Sequence, residues 1–332
     1  MLTTELVERI LTTIPGRTVG VLGDLFLDRY LDIDPARDEP SIETGKTAYQ
    51  VVGVRSYPGA LGTVLNNLVA LGVGQLYPIA ILGDDGEGYE LRQCLAKMPG
   101  VSGTGIILSN ERRTPTYAKP MYGGRELNRL DTKNRTPTPR QLEDRVISML
   151  DELFSKFDAL LILDQVSEEN CGVITDRVRE RLAELGAEHP KRFLLADSRE
   201  RIAKFRNVCA KPNEVEFARA NDRYLCSNRR VFITKGANGI QVLEPSGPQG
   251  YEGSYDVPAY PVSGPIDICG AGDSCSAGIA CAMVSDAEHQ EAAAFGNLIA
   301  SITIQQIGVT GTATPDQVRA RWEEVKDLYP DD

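Results

Sequence analysis

Histidine is nearly missing from this 332-residue chain: His189 and His289 are the only two, each in a polar context (Glu188-His189-Pro190 and Glu288-His289-Gln290). That leaves no basis for a histidine-centred triad or an imidazole zinc site. The seven cysteines, at 94, 171, 209, 226, 269, 275 and 281, contain no C-x-x-C pair. An odd count with small-residue neighbours points to reduced thiols in the cytosol rather than a disulfide framework. No apolar run approaches the ~18 residues of a membrane span. Met1–Arg9 reads as the acidic start of an amphipathic helix rather than a signal peptide, so a cytoplasmic protein is expected. Basic charge is short as well, 36 Lys and Arg against 47 Asp and Glu, for a net charge of −11. A field of that sign argues against nucleic-acid and membrane partners. An anionic substrate would need local basic residues or helix N-termini to offset it. Two phosphate-binding patterns are also missing: there is no G-x-x-x-x-G-K-[ST], and no G-x-G-x-x-G follows the first strand-like run.

The ordinary composition, 42% hydrophobic and 25% charged, suits a globular chain with a large core. Strand-like and helical runs alternate in the βαβ rhythm of a parallel sheet. Strands are expected over residues 17–23, 75–82, 158–163, 192–196 and 230–234. Helices are expected over 62–72, 84–98, 139–156, 170–186, 271–285, 288–306 and 315–328. Two stretches break the rhythm, residues 28–58 and 114–131, with alternating segments such as Tyr49–Arg55 and Thr116–Tyr122. They read as antiparallel inserts that come together as a small lid sheet over one end of the main sheet. The expectation is one α/β domain over residues 1–332, a doubly wound, mostly parallel sheet carrying this lid.

The richest segment is Asp267-Ile268-Cys269-Gly270-Ala271-Gly272-Asp273-Ser274, followed by the small-residue run Cys275–Ala280. A glycine turn opening a helix exposes free amides at the positive end of the helix dipole, an anion site. Asp273 sets a carboxylate where those amides converge, which suits a base taking a proton from a hydroxyl that attacks phosphorus. Other polar clusters fall at the carboxyl ends of predicted strands, where open parallel sheets bind ligands. They are Gly23–Arg29, Asp164, Asp197–Arg199, Lys211–Glu216 and Thr234–Gly236.

Four of these segments carry a specific resemblance. Asp267–Asp273 resembles the D-T-x-G-A-G-D signature of the ribokinase/PfkB family of carbohydrate kinases. Asn213-Glu214-Val215-Glu216 resembles its N-x-x-E motif, and Thr234–Gly239 its T-x-G-x-x-G turn. Gly59–Gly72 is similar to its G-G-A-A-N-V-A-x-N-L-A-x-L-G signature. The motifs fall in the family's order and span residues 17 to about 306. Gly23–Tyr30 and Glu126–Asp131 look most like the kinase domain of the bifunctional heptose-phosphate kinase/adenylyltransferase. No His-x-Gly-His is present, so adenylyl transfer is not expected.

The resemblance implies a ribokinase-like fold and ATP- and Mg²⁺-dependent phosphorylation of a sugar or sugar phosphate, heptose phosphate among the candidates. Asp273 would be the base, with the amides of residues 269–272, including Gly270, Ala271 and Gly272, forming the anion hole. Asn213 and Glu216 would hold Mg²⁺ through water. Asn213, Thr234, Lys235, Gly236 and Gly239 would meet the nucleotide. Asp28, Gly59 and Thr63 would contact the acceptor, with Asp24 and Arg129 as further substrate candidates. A monovalent cation and a homodimer formed through the lid complete what the resemblance implies. Three departures bear on the acceptor: the signature's second glycine is Ala60, its asparagine is Thr63, and the anion-hole threonine is Ile268. A kinase for another alcohol, such as a nucleoside or vitamin, and a silent sugar- or nucleotide-binding regulator stay open as alternatives.

Overall fold

The computed structural model describes residues 2–220, 225–246 and 250–328. In chain order the strands are β1 (Thr18–Gly23), β2 (Leu25–Ile33), β3 (Glu39–Pro40), β4 (Thr47–Ala48), β5 (Val51–Ala60), β6 (Gln75–Gly83), β7 (Ile106–Ser109) and β8 (Thr116–Tyr122). They continue with β9 (Arg125–Glu126), β10 (Leu130–Thr132), β11 (Ala159–Asp164), β12 (Phe193–Ser198), β13 (Cys209–Ala210), β14 (Arg230–Thr234), β15 (Ile240–Pro245) and β16 (Tyr251–Val257). The main sheet runs β16-β15-β14-β13-β12-β11-β1-β6-β7. From β7 to β14 every pair is parallel, and β15 and β16 add an antiparallel hairpin. That hairpin was not read from the sequence.

The central strands are apolar throughout because both faces are covered. Along β11, Ala159, Leu161 and Leu163 enter one core, while Leu160 and Ile162 enter the other. The first core holds the helices Thr4–Thr13, Leu61–Leu71, Ala271–Met283 and His289–Thr303; the second holds Arg140–Phe154 and Asp176–Glu188. The expected helix over 170–186 starts six residues late. Asn170 takes a positive φ of 56°, and Thr175 then caps the first turn by accepting from the Val178 amide. No helix among the described residues is long and apolar enough to cross a membrane.

The two inserts meet as a second sheet, β10-β8-β2-β5, with β9 beside β8. Its strands fall within residues 25–60, slightly wider than the expected 28–58, and 116–132, shifted by one or two residues from the expected 114–131. One pairing differs from the antiparallel expectation: β2 and β8 run parallel, from Leu27↔Thr116 to Ile33↔Tyr122. The cause is topological. β2 follows β1 and β8 follows β7, so both leave the same edge of a parallel sheet in the same direction.

β1 stands between β6 and β11, so the chain departs to one side of it and later returns on the other. Such a switch point opens a crevice at the carboxyl ends of the strands. A buried polar network shapes this crevice. Asp164, ending β11, is 1% exposed and accepts from Ser198 Oγ at 2.8 Å, Arg201 Nη2 at 2.9 Å and Arg179 Nη1 at 3.4 Å. Arg201 also donates to the carbonyls of Val166 and Ser167. From the other side, Asp24 accepts the amides of Gln165, Val166 and Val173 at 2.8–3.1 Å. The 165–173 loop is thus held between one carboxylate and one guanidinium. Replacing Asp164 with alanine leaves buried Arg201 without its carboxylate partner, while Arg179 keeps Asp176 at 2.7 Å. The expected cost is about 3–5 kcal/mol, read as a lowered midpoint in urea unfolding.

Candidate active site

The helix Ala271–Met283 begins at Gly270, whose φ of 79° is left-handed. A Cβ at Gly270 would lie 2.6 Å from Thr310 Cγ2 and 3.5 Å from Thr63 Cγ2, so both backbone shape and space call for glycine there. The same contacts bring Thr63, from the helix Leu61–Leu71, to the mouth of the turn. Asp267 fixes the turn's base. Its two carboxylate oxygens accept the amides of Cys269 (3.0 Å) and Gly308 (3.2 Å), and its own amide donates to the Ile304 carbonyl.

This tie narrows the expected anion hole. The Cys269 amide is engaged by Asp267 and the Ala271 amide by the Ile268 carbonyl at 3.1 Å. The amides of Gly270, Gly272 and Asp273 have no acceptor among the described residues. Of the amides of 269–273, those of 270, 272 and 273 are therefore the ones left free, because a turn this tight closes partly on itself. The exposed Ile268 side chain leaves these amides open.

Asp273 is partly buried in the first turn of its helix. Burial pushes its carboxyl up to about 7, helped by the charge of Asp197 and opposed by Lys211 and Arg199. Lys211, after β13, is 3% exposed and pairs with Asp197, in β12, at 2.7 Å. Its Nζ lies 3.7 Å from the point a Gly272 Cβ would occupy, directly beneath the turn. Burial alone would lower the Lys211 ammonium, but Asp197 lifts it above the ordinary lysine range. The sequence marked both as strand-end residues without showing that they meet.

Asn213 and Glu216 close a reciprocal cap on the short helix Glu214–Ala220. The Asn213 amide donates to Glu216 Oε2 at 2.8 Å, and the Glu216 amide to Asn213 Oδ1 at 2.9 Å. Burial raises the Glu216 carboxyl. With these atoms engaged, and no cluster of three metal-ligating side chains among the described residues, the pair fits Mg²⁺ only as partners of its water shell. An isolated bridge sets Asn213 beside Thr234 at the end of β14. In the turn that follows, Gly236 and Gly239 have φ of 55° and 85°. A Cβ at Gly239 would sit 2.1 Å from the Val257 carbonyl oxygen. Lys235 points away to pair with Asp256 at 3.2 Å.

The lid carries the other candidates. Phe26 faces Gly59 across β2 and β5, and Asp28 Oδ2 occupies the space a Gly59 Cβ would take, at 2.2 Å. Asp28 is paired with Lys119 at 3.0 Å. Arg129 forks onto both oxygens of Asp131 and lies 4.3 Å from the Tyr117 ring centre. Asp24 stands apart, engaged by three loop amides. Burial and the nearby Asp164 charge still push it up to about 6. Lys119 and Tyr117 were not named as site residues from the sequence, since only the pairing of β2 with β8 sets them beside Asp28; Arg199 was marked there only as part of a strand-end cluster.

A doubly wound sheet with a glycine-opened helix, a carboxylate in its first turn and a two-insert lid defines a ribokinase-like kinase. The ribokinase of Arabidopsis thaliana complexed with ribose and ATP superimposes with a TM-score of 0.63 at 17% identity, covering 92% of this chain and 98% of that one. The nucleoside kinase of Burkholderia thailandensis in complex with inosine gives 0.62 at 15%, covering 94% and 100%. Residues 26–317 match the pfkB family of carbohydrate kinases, and the chain belongs to that family. It is accordingly an ATP-dependent carbohydrate kinase by class. Among its relatives are the bifunctional protein HldE of Bradyrhizobium sp. (strain ORS 278), 24% identical over 93% of this chain, and that of Hyphomonas neptunium, 27% over 92%. The chain spans 64% and 63% of the length of those two proteins.

Two outcomes follow for this site. If ionised Asp273 takes the proton, kcat/KM falls with unit slope below about pH 7 and is flat above it. Because folding raises this carboxyl, its contribution to stability declines as pH rises toward 7. Asp273→Asn is expected to lower turnover by on the order of 10²–10⁴ while raising the melting temperature at pH 8. Gly270→Ala is expected to cost about 1–2 kcal/mol in backbone strain. Displacing the free amides would also cut kcat by on the order of a hundredfold.

Proposed function

We propose that this chain phosphorylates a hydroxyl of a sugar or sugar phosphate with ATP, and that Asp273 is its base. The observation that carries the reading is Asp273 itself: a carboxyl held near neutrality within the turn that presents three unengaged amides to an anion. In this reading the acceptor hydroxyl lies against Asp273 and loses its proton there as its oxygen attacks phosphorus. The amides of Gly270, Gly272 and Asp273 take up the negative charge that grows on the transferring group, aided by the helix dipole. Mg²⁺, when bound, neutralises phosphate charge, with Asn213 and Glu216 holding its water shell. Thr234, Gly236 and Gly239 receive the nucleotide. Asp28, Gly59 and Thr63 orient the acceptor, and the 25–60 and 116–132 strands exclude water from it.

The same reading makes the protein cytoplasmic and dimeric. β5 is an edge strand of the lid, with Val51, Val52, Val54 and Tyr57 exposed, and an uncovered apolar edge is a pairing surface. Val52→Asp with Val54→Asp is expected to give a monomer by sedimentation.

The decisive assay is ADP release across a panel of free sugars, sugar phosphates, nucleosides and vitamin alcohols, by wild type and Asp273→Asn. Release with a sugar or sugar phosphate, lost in the variant, is expected. Release only with a nucleoside or vitamin moves the acceptor to the alternative class. Nucleotide binding by calorimetry without turnover on any acceptor would replace the enzyme with a regulator. An active Asp273→Asn would remove the base.

A further inference from the structure

A cavity opens at lid strand β8, its lining including Phe26, Arg112, Tyr117, Lys133, Gln165 and Arg199. Its charged groups are unequal in how they are engaged. The Arg112 guanidinium donates to the carbonyls of Thr136 and Cys171. Asp24 accepts three amides, and Glu168, also in the wall, pairs with Arg135 at 3.6 Å. Lys133 lies 5.8 Å from the Tyr117 ring centre.

Arg199 differs from all of these. Its backbone amide meets the Asp164 carbonyl at 3.3 Å, which fixes where the residue starts, just beyond the end of β12. Its side chain makes no ion pair, hydrogen bond or ring contact among the described residues. Only Arg125 and Arg140 share that property among the described arginines, and both lie outside any such cavity. Arg199 is exposed, and although carboxylates outnumber cations in this chain of net charge −11, none pairs with it among the described residues. Two residues away, Asp197 is occupied by buried Lys211, so it does not draw Arg199 aside. The charge of Arg199 is felt on both walls of the crevice, by Tyr117 in the lid and by Asp273 and Glu216 on the main sheet.

We propose that Arg199 is a phosphate-recognition residue, its guanidinium gripping a phosphate group in the crevice between β8 and the Asp273 turn. A planar fork with five donors is suited to phosphate oxygens and binds two of them at once. The phosphate has two sources, the group in transit from the nucleotide or a phosphate already on the acceptor. The inference rests on the kinase reading for its setting, but phosphate binding is measurable without turnover.

Calorimetry with inorganic phosphate comes first, on wild type, Arg199→Ala and Arg199→Lys. Arg199→Ala is expected to weaken binding about ten- to a hundredfold, the range of one charged hydrogen-bonded contact, with Arg199→Lys intermediate because it keeps charge but not the fork. Unchanged phosphate affinity in Arg199→Ala overturns the proposal. Kinetics then separate the sources. A rise in KM confined to phosphorylated acceptors assigns the phosphate to the acceptor. A drop in kcat with every acceptor, free sugars included, assigns it to the transferring group. Wild-type constants with all acceptors and with ATP overturn the proposal as surely as unchanged binding does. Asp273→Asn, run alongside, tests the base separately: if it stays active the catalytic reading fails while the phosphate titration still judges Arg199.

Discussion

The pair of buried Lys211 and half-buried Asp197 is the interaction on which the candidate site depends. The Lys211 charge would not be tolerated alone at this depth, since an isolated buried ion costs several kcal/mol. Together, at 2.7 Å, they bridge the ends of two neighbouring parallel strands and sit under the glycine turn. Burial is the main cause that raises the Asp273 carboxyl, and the pair acts on it with opposite signs, Asp197 raising it further and Lys211 lowering it. The balance leaves Asp273 near neutrality, where a carboxylate is a stronger base than an exposed one yet still ionised in a large fraction of molecules. The turn above is as constrained as the pair below: Asp267 engages the Cys269 amide, the Ile268 carbonyl engages that of Ala271, and the amides of 270, 272 and 273 are left without an acceptor among the described residues.

A second constraint sets the lid. Because β2 and β8 rise from the same edge of the parallel sheet, they pair in parallel and set Asp28, Tyr117 and Lys119 side by side. β5 then returns antiparallel and brings Gly59 against Asp28, with no room for a side chain. This side of the crevice is therefore built from residues far apart in sequence, joined only by strand register. Asp24 and Arg201 hold the 165–173 loop through its backbone groups.

The alternation of apolar runs with helical ones determined the doubly wound sheet, because strands buried on both faces must be apolar at every position. The spacing of glycine and aspartate in 267–273 likewise determined a turn, a helix start and a carboxylate in its first turn, all of which are local consequences of backbone geometry. Asn213 and Glu216 were legible as a pair, yet their reciprocal cap on a short helix shows how one spacing serves two purposes. Tertiary structure alone decided which strand ends lie side by side. It thereby decided that Lys211 meets Asp197, that Lys235 turns away to Asp256, and that Arg199 is left unengaged in the crevice. The physical reason is range: a turn or a cap is fixed by neighbours three or four residues away, whereas a carboxyl's proton affinity is fixed by charges and burial contributed by segments that meet only when the sheet closes.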